Sequence, residues 1–222
     1  MRRDSASALR AAKAAPRRWS AATIALHWLS AALILGLIGL GWFMVHGDID
    51  AATKFDLYQL HKSLGFLGLA LLLLRLGARL VQASPPAPPA MPPWEHRLAG
   101  LAHAGFYGLL LAASLTGWLL VSAAVIAIPT RFFDLFVIPN LLPSLTRADA
   151  SLSAAMAFWH YVIARLILGL LVLHVAAALK HHFVDRNDVL TRMLPWPTRL
   201  RAAPSNRRED RLERNKVGPP SY

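Results

Sequence analysis

Nine histidines and no cysteine define the chemistry open to this 222-residue chain. Four of the histidines, His27, His61, His160 and His174, lie in long apolar stretches, where ionisable side chains are rare and tend to be functional. His160 and His174 bound the apolar run YVIARLILGLLVL and are 14 residues apart. On an α-helix that interval is about 21 Å of rise and about 40° of rotation. Both imidazoles therefore leave nearly the same face, one towards each side of a hydrocarbon layer about 30 Å thick. One helix so built offers an axial ligand to each of two haems stacked across a membrane. The plain alternative is two polar side chains that only hydrogen-bond to neighbouring helices. The lack of cysteine excludes disulfides, cysteine-ligated iron–sulfur clusters, haem attached through C-x-x-C-H and thiolate catalysis.

The rest of the chain supplies elements to position these groups. It is 55% hydrophobic, with mean hydropathy +0.41, too apolar for an ordinary soluble domain. The formal net charge of +12 is concentrated in two tails and one loop beside apolar segments. That is the signature of a cytoplasmic membrane face. No nucleic-acid-binding motif accompanies the charge, so nucleic acid is not expected as a partner. Residues 1–18 carry six Lys/Arg and one Asp and read as a disordered basic cytoplasmic tail. The apolar run that follows is long enough to span, so it reads as a retained first membrane helix rather than a cleaved signal.

The apolar periods predict helices over about 19–45, 57–81, 95–125 and 151–183, which together make a transmembrane domain over 19–183. Gly36, Gly39 and Gly41 offer a small-residue packing face on the first helix. His46–Asp56 reads as a short acidic outer loop. Six prolines among the twelve residues of Gln82–Pro93 predict a stiff extended linker. Residues 128–150, with three prolines and an aromatic RFFDLFVIPNLL stretch, read as an outer loop lying in the interface or capping the bundle. Residues 184–222, with nine Lys/Arg and five Asp/Glu, read as a second basic cytoplasmic tail, mostly disordered. The expected fold is all-α, an integral membrane four-helix bundle with both termini cytoplasmic.

Alternating helix direction then sorts the histidines by depth. His27 is early in the first helix and His174 late in the fourth, so both lie near the inner face. His61 is early in the second helix and His160 early in the fourth, so both lie near the outer face. Each pair comes from two different helices, as a haem held between two imidazoles in a bundle requires. His103, near the inner end of the third helix, competes for the inner site. A propionate or quinone contact is its expected role, and His182 is a candidate for the same. Arg75 repeats the 14-residue offset from His61 and is a candidate inner propionate partner, with snorkelling to lipid headgroups as the alternative. Arg165 is expected to face the outer haem or a polar cavity, since a lipid-facing charge there is expensive. His46 and His96 read as loop or interface residues.

Several segments carry a resemblance. ALHWLS (25–30), LHKSLG (60–65), GLAH (100–103), FWHYVIA (158–164), VLHVAAALKHHF (172–183), RMLP (192–195) and the proline-rich linker resemble the bacterial cytochrome b561 family over roughly 19–195. The resemblance implies an inner-membrane four-helix protein with two b haems, His27 and His174 at one and His61 and His160 at the other. It also implies oxidation of superoxide to dioxygen with ubiquinone as acceptor. A non-catalytic cytochrome b subunit, linking a periplasmic or membrane redox partner to the quinone pool, is the alternative within related proteins. Lys62, Arg131 and Arg165 are the cations available near the outer side to steer an anion.

Overall fold

The computed structural model describes residues 18–82, 84–86, 88, 91–126, 128–141 and 148–196. Four helices dominate it: α1 (Ala21–His46), α2 (Ala51–Val81), α3 (Pro93–Ser122) and α4 (Ala150–Phe183). Each is long and apolar enough to cross a membrane. Few side chains are buried within the chain, and large apolar groups such as Leu74, Leu101 and Leu173 cover its outside. A helix that is apolar all round satisfies its own backbone and meets lipid, which is how a spanning bundle is built. The chain is an integral membrane four-helix bundle. Within it α1 packs on α2, α3 packs on α4, and α2 joins the two pairs through α3.

The helix starts follow local capping chemistry. Ser20 caps α1 by accepting from the Thr23 amide. Asp50 accepts from the Ala52 and Thr53 amides and so starts α2 at Ala51. The expected loop over His46–Asp56 is therefore shorter, because Asp50 turns most of it into the first turns of a helix. Asp149 caps α4 in the same way, and Pro93 opens α3 with Pro92 before it, where a missing N–H is harmless. Hydrogen bonds from Thr53 hold the Asp50 carboxyl below its ordinary range, and those from Leu152 and Ser151 do so for Asp149. A depressed carboxylate stabilises the fold above its unfolded pKa, and that contribution is lost as pH falls through the folded value.

The segment between α3 and α4 was expected as an irregular loop, yet it contains a β-hairpin. β1 (Thr130–Phe132) pairs antiparallel with β2 (Phe136–Ile138), with Phe132 opposite Phe136. The turn places Phe133 and Asp134 at positive φ without a glycine, an uncommon conformation for a bulky residue. Ser63 on α2 holds it there: its hydroxyl donates to Arg131 O at 2.9 Å and accepts from the Phe133 amide at 3.0 Å, and the residue is 2% exposed. Trp118 Nε1 donates to Pro139 O at 3.0 Å. The hairpin thus caps one end of the bundle, called here the hairpin end.

The opposite, tail end carries both ends of the described chain. Val184–Trp196 does not remain an unstructured tail. It turns back beneath the helices through a 3₁₀ turn at Thr191–Met193. Trp28 Nε1 donates to Met193 O at 2.7 Å, Arg18 donates to Leu194 O and to Trp196 O, and Arg192 donates to Pro86 O at 2.5 Å while pairing with Asp188 at 2.8 Å. Backbone carbonyls that lack helical partners recruit these donors, so the segment is fixed to α1 and to the proline-rich linker. The expected tails at 1–17 and 197–222 lie outside the described residues.

Candidate functional site: two stacked histidine clusters

At the hairpin end, His61 on α2 faces His160 on α4, with ring centres 6.2 Å apart and planes at 78°. At the tail end, His27 on α1 faces His174 on α4, with ring centres 6.3 Å apart. Two imidazoles on opposite sides of one metal, with about 2.0 Å per metal–nitrogen bond and about 1.1 Å from nitrogen to ring centre, stand about 6.2 Å apart. Both pairs have that spacing. Depth-matching along the sequence paired the same residues, and α4 contributes one ring to each cluster.

The atoms around the rings fit a haem-holding role. His160 Nδ1 lies 2.9 Å from Ala113 O and 3.3 Å from Thr116 Oγ1. Donation from Nδ1 to the carbonyl leaves Nε2 as the lone-pair nitrogen, the arrangement found in metal-bound histidines. His61 Nδ1 is buried without a partner among the described residues, so this ring is not held by hydrogen bonds to the protein at that atom. Two glycines bring neighbouring backbone close. A Cβ added at Gly117 would stand 3.1 Å from His160 Cε1, and one at Gly41 would stand 3.4 Å from His61 Cε1.

Those glycines were missed as site residues. Gly41 follows His27 by 14 residues and Gly117 follows His103 by 14, the interval already seen on α2 and α4. Each helix therefore gives one residue to each level: Gly41, His61, Gly117 and His160 above, His27, Arg75, His103 and His174 below. Gly36 and Gly39, read with Gly41 as a packing face, meet nothing within 4 Å of an added Cβ; only Gly41 sits against another helix's side chain.

The lower cluster holds more groups than a pair. His103 stands 6.1 Å from His174, centre to centre, so ring spacing alone does not choose between His27 and His103 as its partner. Phe106 packs edge-on to His174 and Trp28 edge-on to His27. Arg75 Nη2 is 3.4 Å from His27 Nδ1, and its guanidinium carbon is 6.0 Å from the centre of the Tyr107 ring. The guanidinium points into the bundle at the level expected from the 14-residue offset rather than out to lipid.

Other expected residues lie elsewhere. His182 packs edge-on to Phe183, outside the cluster. His46 stacks on Trp42. Lys62 donates to Pro129 O at 3.4 Å, and Arg131 is paired with Asp134 at 3.0 Å. Arg165 does not face a haem site or a polar cavity. It is exposed on the outside of the bundle with its guanidinium carbon 4.3 Å from the centre of the Tyr161 ring. The reason is angular: five residues place it about 140° from His160 and nine place it about 180° from His174. Stacking on Tyr161, one turn towards the hairpin end, is the direction a snorkelling side chain takes. Replacing Arg165 by leucine removes a charge that costs about 2.5–3.5 kcal/mol at mid-bilayer on insertion scales. Membrane insertion should improve and the haem absorbance of the purified variant should match the parent's; loss of absorbance in Arg165→Leu would contradict this placement.

A four-helix membrane bundle with histidine pairs stacked along a shared helix is the arrangement a membrane electron-transfer protein of cytochrome b type requires. Comparison with known proteins agrees. The family described as prokaryotic cytochrome b561 matches residues 18–196. "Cytochrome b561 homolog 2" of Escherichia coli (strain K12) is 34% identical over 179 residues, covering 81% of this chain and 92% of the relative. "Probable superoxide oxidase CybB" of Yersinia pestis is 26% identical over 182 residues, covering 81% and 97%. "Cytochrome b561 homolog 1" of Escherichia coli (strain K12) is 27% identical, covering 80% and 97%. The chain belongs to the prokaryotic cytochrome b561 family, whose members carry haem b and serve electron transport in membranes.

Proposed function

We propose that the two clusters hold two b haems, with His27 and His174 as axial ligands at the tail end and His61 and His160 at the hairpin end. The protein then carries electrons between the two faces of the bacterial inner membrane, with the tail end and both termini in the cytoplasm. The observation that carries this reading is the repeated 6.2 and 6.3 Å spacing of two ring pairs on different helices. The haem supplies reversible one-electron chemistry when bound. The chain supplies the rest. Its helices exclude water, Ala113 O and Thr116 orient His160, and Arg75 gives a cation for a carboxylate in low dielectric. In the present arrangement Arg75 donates to His27 Nδ1. Were His27 to hold a haem through Nε2, its Nδ1 would carry the ring proton, Arg75 could no longer donate to it, and the guanidinium would be free for a propionate. His103, at the same level, fits a contact to a propionate or quinone better than a ligand, because His27 completes the family pattern.

The reaction supported best is oxidation of superoxide to dioxygen at the hairpin end, with ubiquinone reduced at the tail end. Two superoxide anions give two electrons, and one quinone takes both with two protons. Support comes from the relative named as a probable superoxide oxidase. The more similar relative is named only as a cytochrome b561 homolog, and Arg131 of the hairpin is paired with Asp134, which leaves Lys62 as the nearby cation outside an ion pair among the described residues. Those two observations favour the second reading, an electron-transfer subunit fed by a periplasmic or membrane redox partner. Purified protein should show two haems per chain and a reduced-minus-oxidised b-type spectrum. Rapid mixing with superoxide should reduce the haem within milliseconds and pass electrons to added ubiquinone. Failure of superoxide to reduce a fully loaded protein would leave the electron-transfer reading in its place.

A further inference from the structure

Arg165 is exposed on the outside of α4, and among the described residues it has no acidic partner and no hydrogen bond. The face of Tyr161 offsets part of its charge but leaves the N–H donors of the guanidinium without acceptors. Its depth follows from the helix ladder. α1 runs from Ala21 to His46, so its centre falls midway between His27 and Gly41. The middle of the bundle therefore lies midway between the upper and lower levels, at Ile167 on α4. Arg165 is two residues from Ile167, or about 3 Å along the axis. The hydrocarbon layer ends about 15 Å from its middle, and an extended arginine side chain reaches about 7 Å. The guanidinium thus ends inside the apolar layer, short of water and of lipid phosphate.

The surface around it has the shape of a helix-docking face. Ala154, Phe158, Tyr161, Arg165, Gly169 and Val172 are all exposed and lie within about 40° of one line along α4. A Cβ added at Gly169 meets nothing within 4 Å, so no helix of this chain uses that glycine, and it leaves a notch where another backbone can come close. Towards the hairpin end the same line enters an open apolar hollow, lined by Leu120, Ala124 and Val125 at the end of α3 and by Ala154 and Ala157 on α4. We propose that this face docks a membrane helix of another protein, one that carries an Asp or Glu near its middle and pairs it with Arg165. A carboxylate is the anion a helix brings to that depth, and in low dielectric the pair is strong while either charge alone is costly. A second copy of this chain does not supply it. No Asp or Glu lies between the two levels, in 27–41, 61–75, 103–117 or 160–174, and two copies set face to face bring Arg165 against Arg165. The face points away from His160 and His174, so docking leaves both clusters as they are and holds under either reading of the reaction.

The test uses the full chain in phosphatidylcholine vesicles. The probe is a leucine-rich membrane peptide of about 21 residues with one glutamate at its centre, compared with the same peptide carrying glutamine. The chain has no cysteine, so Leu135→Cys, in the exposed turn of the hairpin, takes a single acceptor dye, and energy transfer from a dye on the peptide reads binding. The parent should bind the glutamate peptide on the order of 10-fold more tightly than the glutamine peptide. Arg165→Leu should abolish that difference and Arg165→Lys should keep part of it. Gly169→Ile should weaken both peptides by closing the notch, and all three variants should keep the parent's haem spectrum. Equal binding of the two peptides by the parent would overturn the proposal, as would a glutamate preference that survives in Arg165→Leu. Phosphatidylglycerol that displaces the glutamate peptide from the parent would make a lipid phosphate the occupant and overturn it too. Energy transfer between labelled copies that Arg165→Leu abolishes would do the same, with a second copy as the occupant.

Discussion

On the two-haem proposal, replacing His61 or His160 by alanine is expected to remove one and the same haem, and replacing His27 or His174 the other, so that each variant keeps one haem per chain. The expectation is large because an axial imidazole is not a graded contact. A haem iron held between two helices loses its anchor on one of them, and the pocket collapses or admits water. The measurement is haem-to-protein stoichiometry with low-temperature difference spectra, which resolve two b centres by their α-bands. His27→Ala and His61→Ala removing the same centre would break the depth assignment. His103→Ala decides the one ambiguity the ring spacings leave, since His103 and His27 stand 6.1 and 6.3 Å from His174. It should retain both haems. If it loses the tail-end haem while His27→Ala keeps it, His103 is the ligand.

Gly117→Val is expected to disable the hairpin-end centre with the tail-end centre intact. A Cβ at Gly117 would lie 3.1 Å from His160 Cε1 and 3.3 Å from its Nδ1, and valine adds two methyl groups beyond that. The ring must move, and movement breaks the 2.9 Å bond to Ala113 O that sets its tautomer. Overpacking of this kind costs about 1–3 kcal/mol, and it disturbs the 6.2 Å spacing of the ring from His61. Gly117→Ala should shift the spectrum of that centre more mildly. Gly41→Ala should be milder again, because its Cβ would meet His61 at 3.4 Å, an ordinary contact. Gly36→Ala is the control, since an added Cβ there meets nothing within 4 Å. Equal effects at Gly36 and Gly117 would point to helix propensity rather than ring contact.

The sequence alone determined the number of spanning helices and their alternation, and it put His61 level with His160 and His27 level with His174, with His103 as a competitor at the lower level. Those properties depend on composition, on the 3.6-residue period and on counting residues along straight rods, and none needs knowledge of neighbouring side chains. The same counting put Arg75 at the lower level, with snorkelling to lipid as the alternative, and the structure sets it 3.4 Å from His27. It failed where a second element decided the outcome. Arg165 was placed towards a haem on the cost of a charge in lipid, although its own offset of five residues from His160 already turned it away; stacking on Tyr161 supplies the relief that energy argument overlooked. The hairpin at Thr130–Ile138 has no alternation long enough to read, and it forms because Ser63 of α2 binds both Arg131 O and the Phe133 amide. Val184–Trp196 has the composition of a tail, yet donors on Arg18 and Trp28, far away in sequence, fix its carbonyls.

The site divides in the same way. Residue type and spacing determined which imidazoles share a level, because the ladder of 14 residues is a property of each helix alone. Tertiary structure decided what surrounds them: the carbonyl that orients His160, the glycines that admit it and His61, and the closeness of His103 to His174. Those are contacts between residues 40 or more positions apart for the most part, set by how the helices rotate about their axes when they pack. A single helix's sequence fixes where its residues stand on its own surface, and only its neighbours fix what each of them touches.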